Sequence, residues 1–391
     1  MPRFREAAVT LKMTLCRASL SGASPPREAI LLPAGYMSPP ELTIAPVLQS
    51  ERLLKILAPY STIRIVTHDN PDPDAIAAGW GLQRLLAEHF DRPIEFVAGG
   101  AIVRAENRHL VELLNPPLRI VDTVAEDPET ATVLVDCGIG TSNHLATRHR
   151  VQPVAVIDHH ALSRTPVDVA FADIRPSVAA TATIVAGYLR EQGIDPGVKL
   201  ASAMLYAMRT ETCGCETAHS ELDRSIMLWL TEHAEPGLIA EIENAPLARA
   251  YFSDLVLALQ GTQLFDETAL CLLPKASGPE TVGEVADLLI RCEGVFRVLC
   301  AGAIDDDLYV SVRTRREDER AVELLQKTLD GIGGGGGHTH RAGGKVTGIA
   351  SAGKMSNPLE QKLQERWLAA CDEKNRRPKR LVGLREIVEN L

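Results

Sequence analysis

The chain has 391 residues, 45% hydrophobic and 24% charged, which allows two or three domains with sizeable cores and excludes a mostly disordered polymer. No apolar run approaches the roughly 20 residues that span a bilayer, and residues 9–23 are interrupted by Lys12, Arg17 and serines, a poor secretory leader. With 41 Lys and Arg against 51 Asp and Glu, the net charge of −10 argues against coating nucleic acid by counterion release. Small anionic substrates stay open if metal ions or a local basic patch overcome the global sign.

Residues 1–45 are rich in Ser, Pro, Ala and Arg without lasting periodicity and read as a flexible tail, with Met37 an alternative start. Residues 63–67 then read as a strand and 74–89 as a helix carrying Ile76, Trp80, Leu82, Leu85 and Leu86. Segments 94–97, 119–121, 132–135 and 154–157 read as further strands, and 105–114 and 143–149 as helices. The alternation predicts an α/β fold whose first domain, 46–245, holds a mostly parallel five-stranded sheet with helices on both faces. From 179 to 259 the pattern is almost wholly helical and links to a smaller α+β unit over 246–350. There 269–273 is a strand, 281–291 an amphipathic helix, 296–313 two strands joined at Asp305-Asp306-Asp307, and 319–329 a helix. A glycine-rich segment, 331–344, reads as a loop, and 351–391 as a helical C-terminal extension. The eight cysteines are scattered, and Cys213-Gly-Cys215, the one close pair, lacks C-x-x-C spacing, so reduced cytoplasmic thiols are expected.

The strongest chemical signal is His68-Asp-Asn-Pro-Asp-Pro-Asp74, directly after a strand. His68, Asp72 and Asp74 crowd an imidazole and two carboxylates into a proline-stiffened loop at a strand end, where open α/β sheets place their sites. That donor set suits Mn(II) or Mg(II); an acidic turn capping the helix is the alternative. Asp136 ends the apolar run Val133-Leu-Val, and Asp158, His159 and His160 end Val154-Ala-Val-Ile. Singly, each reads as a helix cap or a core histidine. Three such strand ends in one parallel sheet share an edge and point to a site. In the second unit the glycines 333–337 allow backbone N–H groups to approach an anion without Cβ obstruction. His338, His340 and Arg341 follow them, and Arg313 offers a planar phosphate fork. The basic runs 313–320 and 376–380 read mainly as solvated faces. Aromatics are only 4% of residues, so short oligonucleotides or mononucleotides fit better than long polymers.

HDNPDPD, VLVDCG, VIDHHA and GGGGGH, in that order over residues 53–346, resemble the DHH phosphoesterases. The C-terminal unit is similar to the family's DHH-associated domain of the first type (DHHA1), and the layout lies nearest the NrnA-like nanoRNase and phosphoadenosine-phosphate phosphatase group. The resemblance implies a two-metal site, with His68, Asp72 and a bridging Asp136 on one ion and Asp74, Asp136 and His159 on the other. It implies Glu211 as a further ligand, although the family has Asp there and the additional methylene shifts the carboxylate. It makes Asp158 an orienting group behind the histidines and sets His160 at the phosphate; Ser177 and Thr181 match a motif that caps the metal edge. Substrate contacts fall to Arg313, Thr314, Gly336, Gly337 and His338, while Arg341 replaces a small residue of the GGHxxAAG pattern.

The activity so implied is cytoplasmic hydrolysis of short RNA or DNA oligonucleotides (nanoRNA), or of a nucleoside 3′,5′-bisphosphate, by hydroxide held between two divalent ions, manganese before magnesium. A cyclic or linear dinucleotide phosphodiesterase is the enzymatic rival, and a nucleotide-binding regulator impaired at Glu211 the rival of another class. The family's inorganic pyrophosphatases carry a different second domain. A homodimer accords with the resemblance, though no sequence patch marks an interface, and no membrane partner is expected.

Overall fold

Short β-branched runs bounded by helical segments build a parallel sheet covered on both faces. A computed structural model describes residues 48–160, 168–212, 219–337, 339–348 and 355–383. The tail 1–45, Met37, Cys213, Cys215 and His338 therefore lie outside the described residues. In chain order come α1 (Gln49–Leu57), β1 (Thr62–Val66), α2 (Pro73–His89), β2 (Ile94–Ala98), α3 (Ala105–Leu114) and β3 (Leu118–Ile120). Then follow β4 (Thr130–Val135), α4 (Leu145–His149), β5 (Ala155–Asp158) and β6 (Phe171–Ile174). The strands pair in parallel in the order β3-β2-β1-β4-β5-β6. The order reverses between β1 and β4, and such a switch point opens a crevice at the carboxyl ends of the strands. Every residue of β4 is buried, as expected of a central strand with both faces covered.

The sheet has six strands where five were expected; β6 was missed because Asp173 interrupts its four residues. Helices α5 (Thr181–Glu191), α6 (Gly197–Glu211), α7 (Glu221–Thr231), α8 (Pro236–Glu243) and α9 (Arg249–Gly261) fill the expected helical stretch. Faces of α2, α5 and α6 pack around Leu82, Tyr188 and Met204 to form the main core of this half.

The second half holds β7 (Gln263–Phe265), β8 (Thr268–Leu273), α10 (Pro279–Leu289), β9 (Arg297–Ile304), β10 (Asp307–Thr314) and α11 (Ala321–Leu329). It continues with β11 (Gly334–Gly337), β12 (Arg341–Val346), α12 (Asn357–Ala370) and β13 (Lys379–Arg380). Its mixed sheet runs β11-β12-β10-β9-β8-β7-β13, with β8 and β9 parallel. The glycine run is thus a strand, not a loop: Gly334–Gly337 pair antiparallel with Lys345–Ala342. The reason is packing. A Cβ on Gly335 would run into the Gly343 carbonyl oxygen and lie 2.7 Å from Leu325 of α11, so only glycine lets the helix settle on this edge.

Within the expected helical extension, 351–391, the described residues hold one helix, α12, which is structural: Trp367 is fully buried and donates its indole N–H to the Ala269 carbonyl at 3.1 Å. Residues 371–383 contain no helix. Trp367→Ala should lower stability by about 3–5 kcal/mol, because the cavity and the orphaned carbonyl act together. A urea-unfolding midpoint unchanged from wild type would show that α12 is dispensable. No helix among the described residues is long and apolar enough to cross a membrane.

Candidate metal centre

Three strand tips converge at the switch point. Past β1, His68 bridges to His144 and the chain turns into α2, whose N-cap is Asp72: its carboxylate accepts from the Ala75 N–H at 3.0 Å. Capping and site-building are therefore not alternatives at this residue. Asp74, in the first turn of α2, is 1% exposed and accepts from the N–H groups of Thr181 and Ala182 at 2.7 and 2.8 Å. The N-terminus of α5 so fixes its carboxylate. Asp136 follows β4 with φ +58°, a left-handed conformation that Asp tolerates better than most non-glycine residues. Its N–H donates to the Ile157 carbonyl at 3.0 Å, and its Oδ1 accepts from Thr181 Oγ1 at 2.8 Å.

Around Asp136 the side chains divide into two groups. Its Oδ2 lies 3.5 Å from His68 Nε2, which is 3.6 Å from Asp72 Oδ2. Its Oδ1 lies 3.7 Å from His159 Nε2 and 3.8 Å from His160 Nδ1. The sets His68–Asp72–Asp136 and Asp136–His159–His160 each gather their donor atoms within 4.8 Å. His159 Nε2 also lies 3.9 Å from Asp74 Oδ2. These gaps approach the roughly 3 Å between adjacent donors on a divalent ion with ~2.1 Å bonds. Asp158, 2% exposed, holds His160 by accepting from Nδ1 at 2.7 Å.

The electrostatics favour a cation at this cluster. Burial, then Asp136, Glu211 and Asp72, push the Asp74 carboxyl well above its ordinary range. Burial, then Asp72 and Asp136, push Glu211 up to about 8. His68 is raised because Asp72 and Asp136 outweigh its burial, and His160 reaches about 9 because Asp158 and Asp136 outweigh its own. A buried cluster of carboxylates needs countercharge, and its mixed oxygen and imidazole donors suit a divalent cation.

Glu211, at the end of α6, lines the same cavity of about 810 Å³ but belongs to neither close donor set. Of the substrate residues expected in the second half, Arg341 lines this cavity. Arg313, Thr314, Gly336, Gly337 and His340 do not. In place of an open fork, Arg313 is 7% exposed and fully engaged. It donates to Asp287 at 2.6 and 3.3 Å, to Ser311 Oγ at 2.7 Å, and to the carbonyls of Val312 and Gly283 at 3.0 and 3.4 Å. Thr314 is buried, its Oγ1 accepting from the Arg316 N–H at 3.1 Å, while Gly336 and Gly337 pair with Gly343 and Ala342. His340 sits with Nδ1 3.2 Å from the Thr314 carbonyl. The basic run beyond Arg313 is largely neutralised: Arg316 pairs with Glu267, Asp318 and Glu319, and Arg320 with Glu323. Ser177 is exposed, whereas Thr181 reaches the site. The site also draws on residues that carried no sequence signal, Arg104, Asn107 and Tyr206 on the cavity wall.

Residues 62–208, from β1 through nearly all of α6, match the family model described as DHH family, N-terminal domain. This segment is similar to the N-terminal domain of the DHH family. An uncharacterized protein of Methanocaldococcus jannaschii is 29% identical over 303 residues, covering 77% of this chain and 61% of that protein. A probable manganese-dependent inorganic pyrophosphatase of Streptococcus pyogenes is 24% identical over 217 residues, 54% of this chain and 65% of that protein. The chain thus spans under two thirds of the length of either curated relative. The crystal structure of an exopolyphosphatase-related protein from Bacteroides fragilis superposes with a TM-score of 0.63 at 15% identity, over 83% of this chain and 97% of that one. That likeness shows a shared fold that includes the second half of the chain.

Proposed function

We propose that the chain is a cytoplasmic, metal-dependent phosphoesterase acting on short oligonucleotides or nucleoside 3′,5′-bisphosphates. The observation that carries this reading is the position of Asp136, whose two carboxylate oxygens face different histidine-containing donor sets. In this reading His68, Asp72 and Asp136 hold one divalent ion, and Asp74, Asp136 and His159 hold a second, with Glu211 in reserve on the cavity wall. Manganese is favoured because the matched streptococcal protein is named as manganese-dependent. Bound divalent ions supply Lewis acidity and a water acidic enough to attack phosphorus near neutral pH.

The chain's own groups do the rest. The N–H groups of Thr181 and Ala182 hold Asp74 in one orientation, and the Thr181 hydroxyl does the same for Asp136. Asp158 accepts a hydrogen bond from Nδ1–H of His160 and so orients the ring, whose Nε2 edge would face the phosphate and steady its developing charge. The second half would act as the DHH-associated, substrate-holding unit, since β12 delivers Arg341 to the cavity. Each described cysteine is a free thiol, in keeping with a reducing compartment.

Product release from a dinucleotide, a short RNA, a longer RNA, a 3′,5′-bisphosphate, a cyclic dinucleotide and inorganic pyrophosphate, assayed side by side, tests the proposal. The expected result is manganese-dependent turnover of the short or bisphosphate substrates, abolished by EDTA. No turnover of any substrate with saturating manganese would overturn it. One observation favours a second reading: Glu211 stands outside both donor sets, as in a regulator that binds nucleotide without cleaving it. Nucleotide binding without product release would decide for that reading.

A further inference from the structure

The cavity that Asp136 lines is also lined by the N-terminus of α3, which has no side-chain cap. Arg104, the residue preceding the helix, is exposed and lines the cavity, and its guanidinium forms no hydrogen bond or ion pair with the described residues. Asn107, one turn further, lines the same cavity, is 6% exposed, and its amide likewise has no hydrogen-bond partner among the described residues. Its amide is thus open to a ligand in the cavity that it lines. The charges around Arg104 come from several elements. Glu106 shares its helix, while α10 contributes Asp287, already engaged by Arg313, and Glu284, pushed up to about 7 by burial and then by Glu106. A Cβ built on Gly283 of α10 would lie 3.5 Å from Arg104 Nη2 and 3.7 Å from Arg313 Nη2. Arg104 therefore reaches from the first half of the chain to the second, on the cavity that Arg341 enters from β12.

We infer that Arg104, Asn107 and the uncapped first turn of α3 form an anion subsite for a second phosphate of the substrate, set apart from the phosphate hydrolysed. The inference rests on the phosphoesterase reading for its reaction and on the cavity wall for its geometry. An open guanidinium, a side-chain amide donor and free helical N–H groups are the chemistry that recognises a terminal phosphate. Such a subsite selects nucleotides with two separate phosphate groups, 5′-phosphorylated dinucleotides or 3′,5′-bisphosphates, over a dinucleotide lacking a terminal phosphate. Arg104 would then be a specificity-determining residue outside the catalytic centre.

The test compares a dinucleotide with and without its 5′-phosphate, in wild type, Arg104→Ala, Arg104→Lys and Asn107→Ala. Wild type should prefer the phosphorylated form in kcat/KM. Arg104→Ala should shrink that preference about tenfold or more, mainly through KM, with partial recovery in Arg104→Lys. Far-ultraviolet circular dichroism checks that each variant folds. The same preference, read as a ratio of Kd values by calorimetry, separates the subsite from the reaction. If neither dinucleotide is hydrolysed but the Kd preference exists and collapses in Arg104→Ala, the subsite stands and the phosphoesterase reading falls. A wild type without preference, or a preference that survives Arg104→Ala, overturns the subsite.

Discussion

Asp136→Asn should reduce manganese-dependent kcat/KM on the order of 10⁴-fold, about 5.5 kcal/mol of barrier, while leaving the fold intact. The size of the loss follows from geometry. Each of the two donor sets includes Asp136, so one substitution weakens both at once. Asparagine is the informative replacement because, like Asp, it tolerates the left-handed φ of +58° found here. It also keeps an oxygen to accept from Thr181 Oγ1, now at 2.8 Å. Alanine would add backbone strain and an orphaned hydroxyl, and its loss of activity would be harder to assign. Without metal, the Asn variant should be at least as stable as wild type, since removing one carboxylate relieves repulsion on Asp74 and Glu211. Thermal unfolding in EDTA checks stability and a manganese-supplemented assay checks turnover. Activity within tenfold of wild type would rule out Asp136 as the shared ligand.

The contrast between what sequence revealed and what it concealed has a physical basis. His68, Asp72, Asp136 and His159 were legible because parallel strands with buried faces bring their carboxyl ends to one edge, whatever the details of packing. Glu211 was legible as a neighbour of the site but not as a ligand, since the orientation of a carboxylate at a helix end depends on the helices behind it. The glycine run misled for a different reason. Glycine permits both a loop around an anion and a strand pressed under a helix, and the contact that decides, Leu325 against Gly335, comes from another element. Arg313 looked like a phosphate fork because its partner, Asp287, lies 26 residues away on α10 and nothing in the local sequence announces it. Arg104 carried no signal at all, as an isolated arginine before a helix is common. Its significance comes only from the cavity it faces.

The stabilisation that manganese confers on wild type should be larger near pH 8.5 than near pH 6 and nearly absent in Asp136→Asn. The sign follows group by group. Asp74 and Glu211 have folded pKa values above their unfolded ones, Glu211 at about 8, so their contribution to metal-free stability is full below the unfolded value and is lost as pH rises through the folded one. His68 is raised and His160 reaches about 9, so both have the same sign and lose their contribution as pH climbs through that range. Asp72 is lowered, chiefly because His68 outweighs its burial; its contribution is lost only in acid, below this window. The metal-free chain should therefore weaken steadily from about pH 6 to 8.5. Manganese opposes that trend because it takes the place of protons on these ligands, so its affinity grows as they leave. At a thousandfold excess over Kd, binding contributes about 4 kcal/mol, enough to move a melting temperature measurably. Melting curves in EDTA and in manganese chloride at both pH values, with Asp136→Asn as the control, read the effect directly. Equal manganese increments at the two pH values, or an undiminished increment in Asp136→Asn, would mean that the cation binds elsewhere and that protons alone balance the cluster.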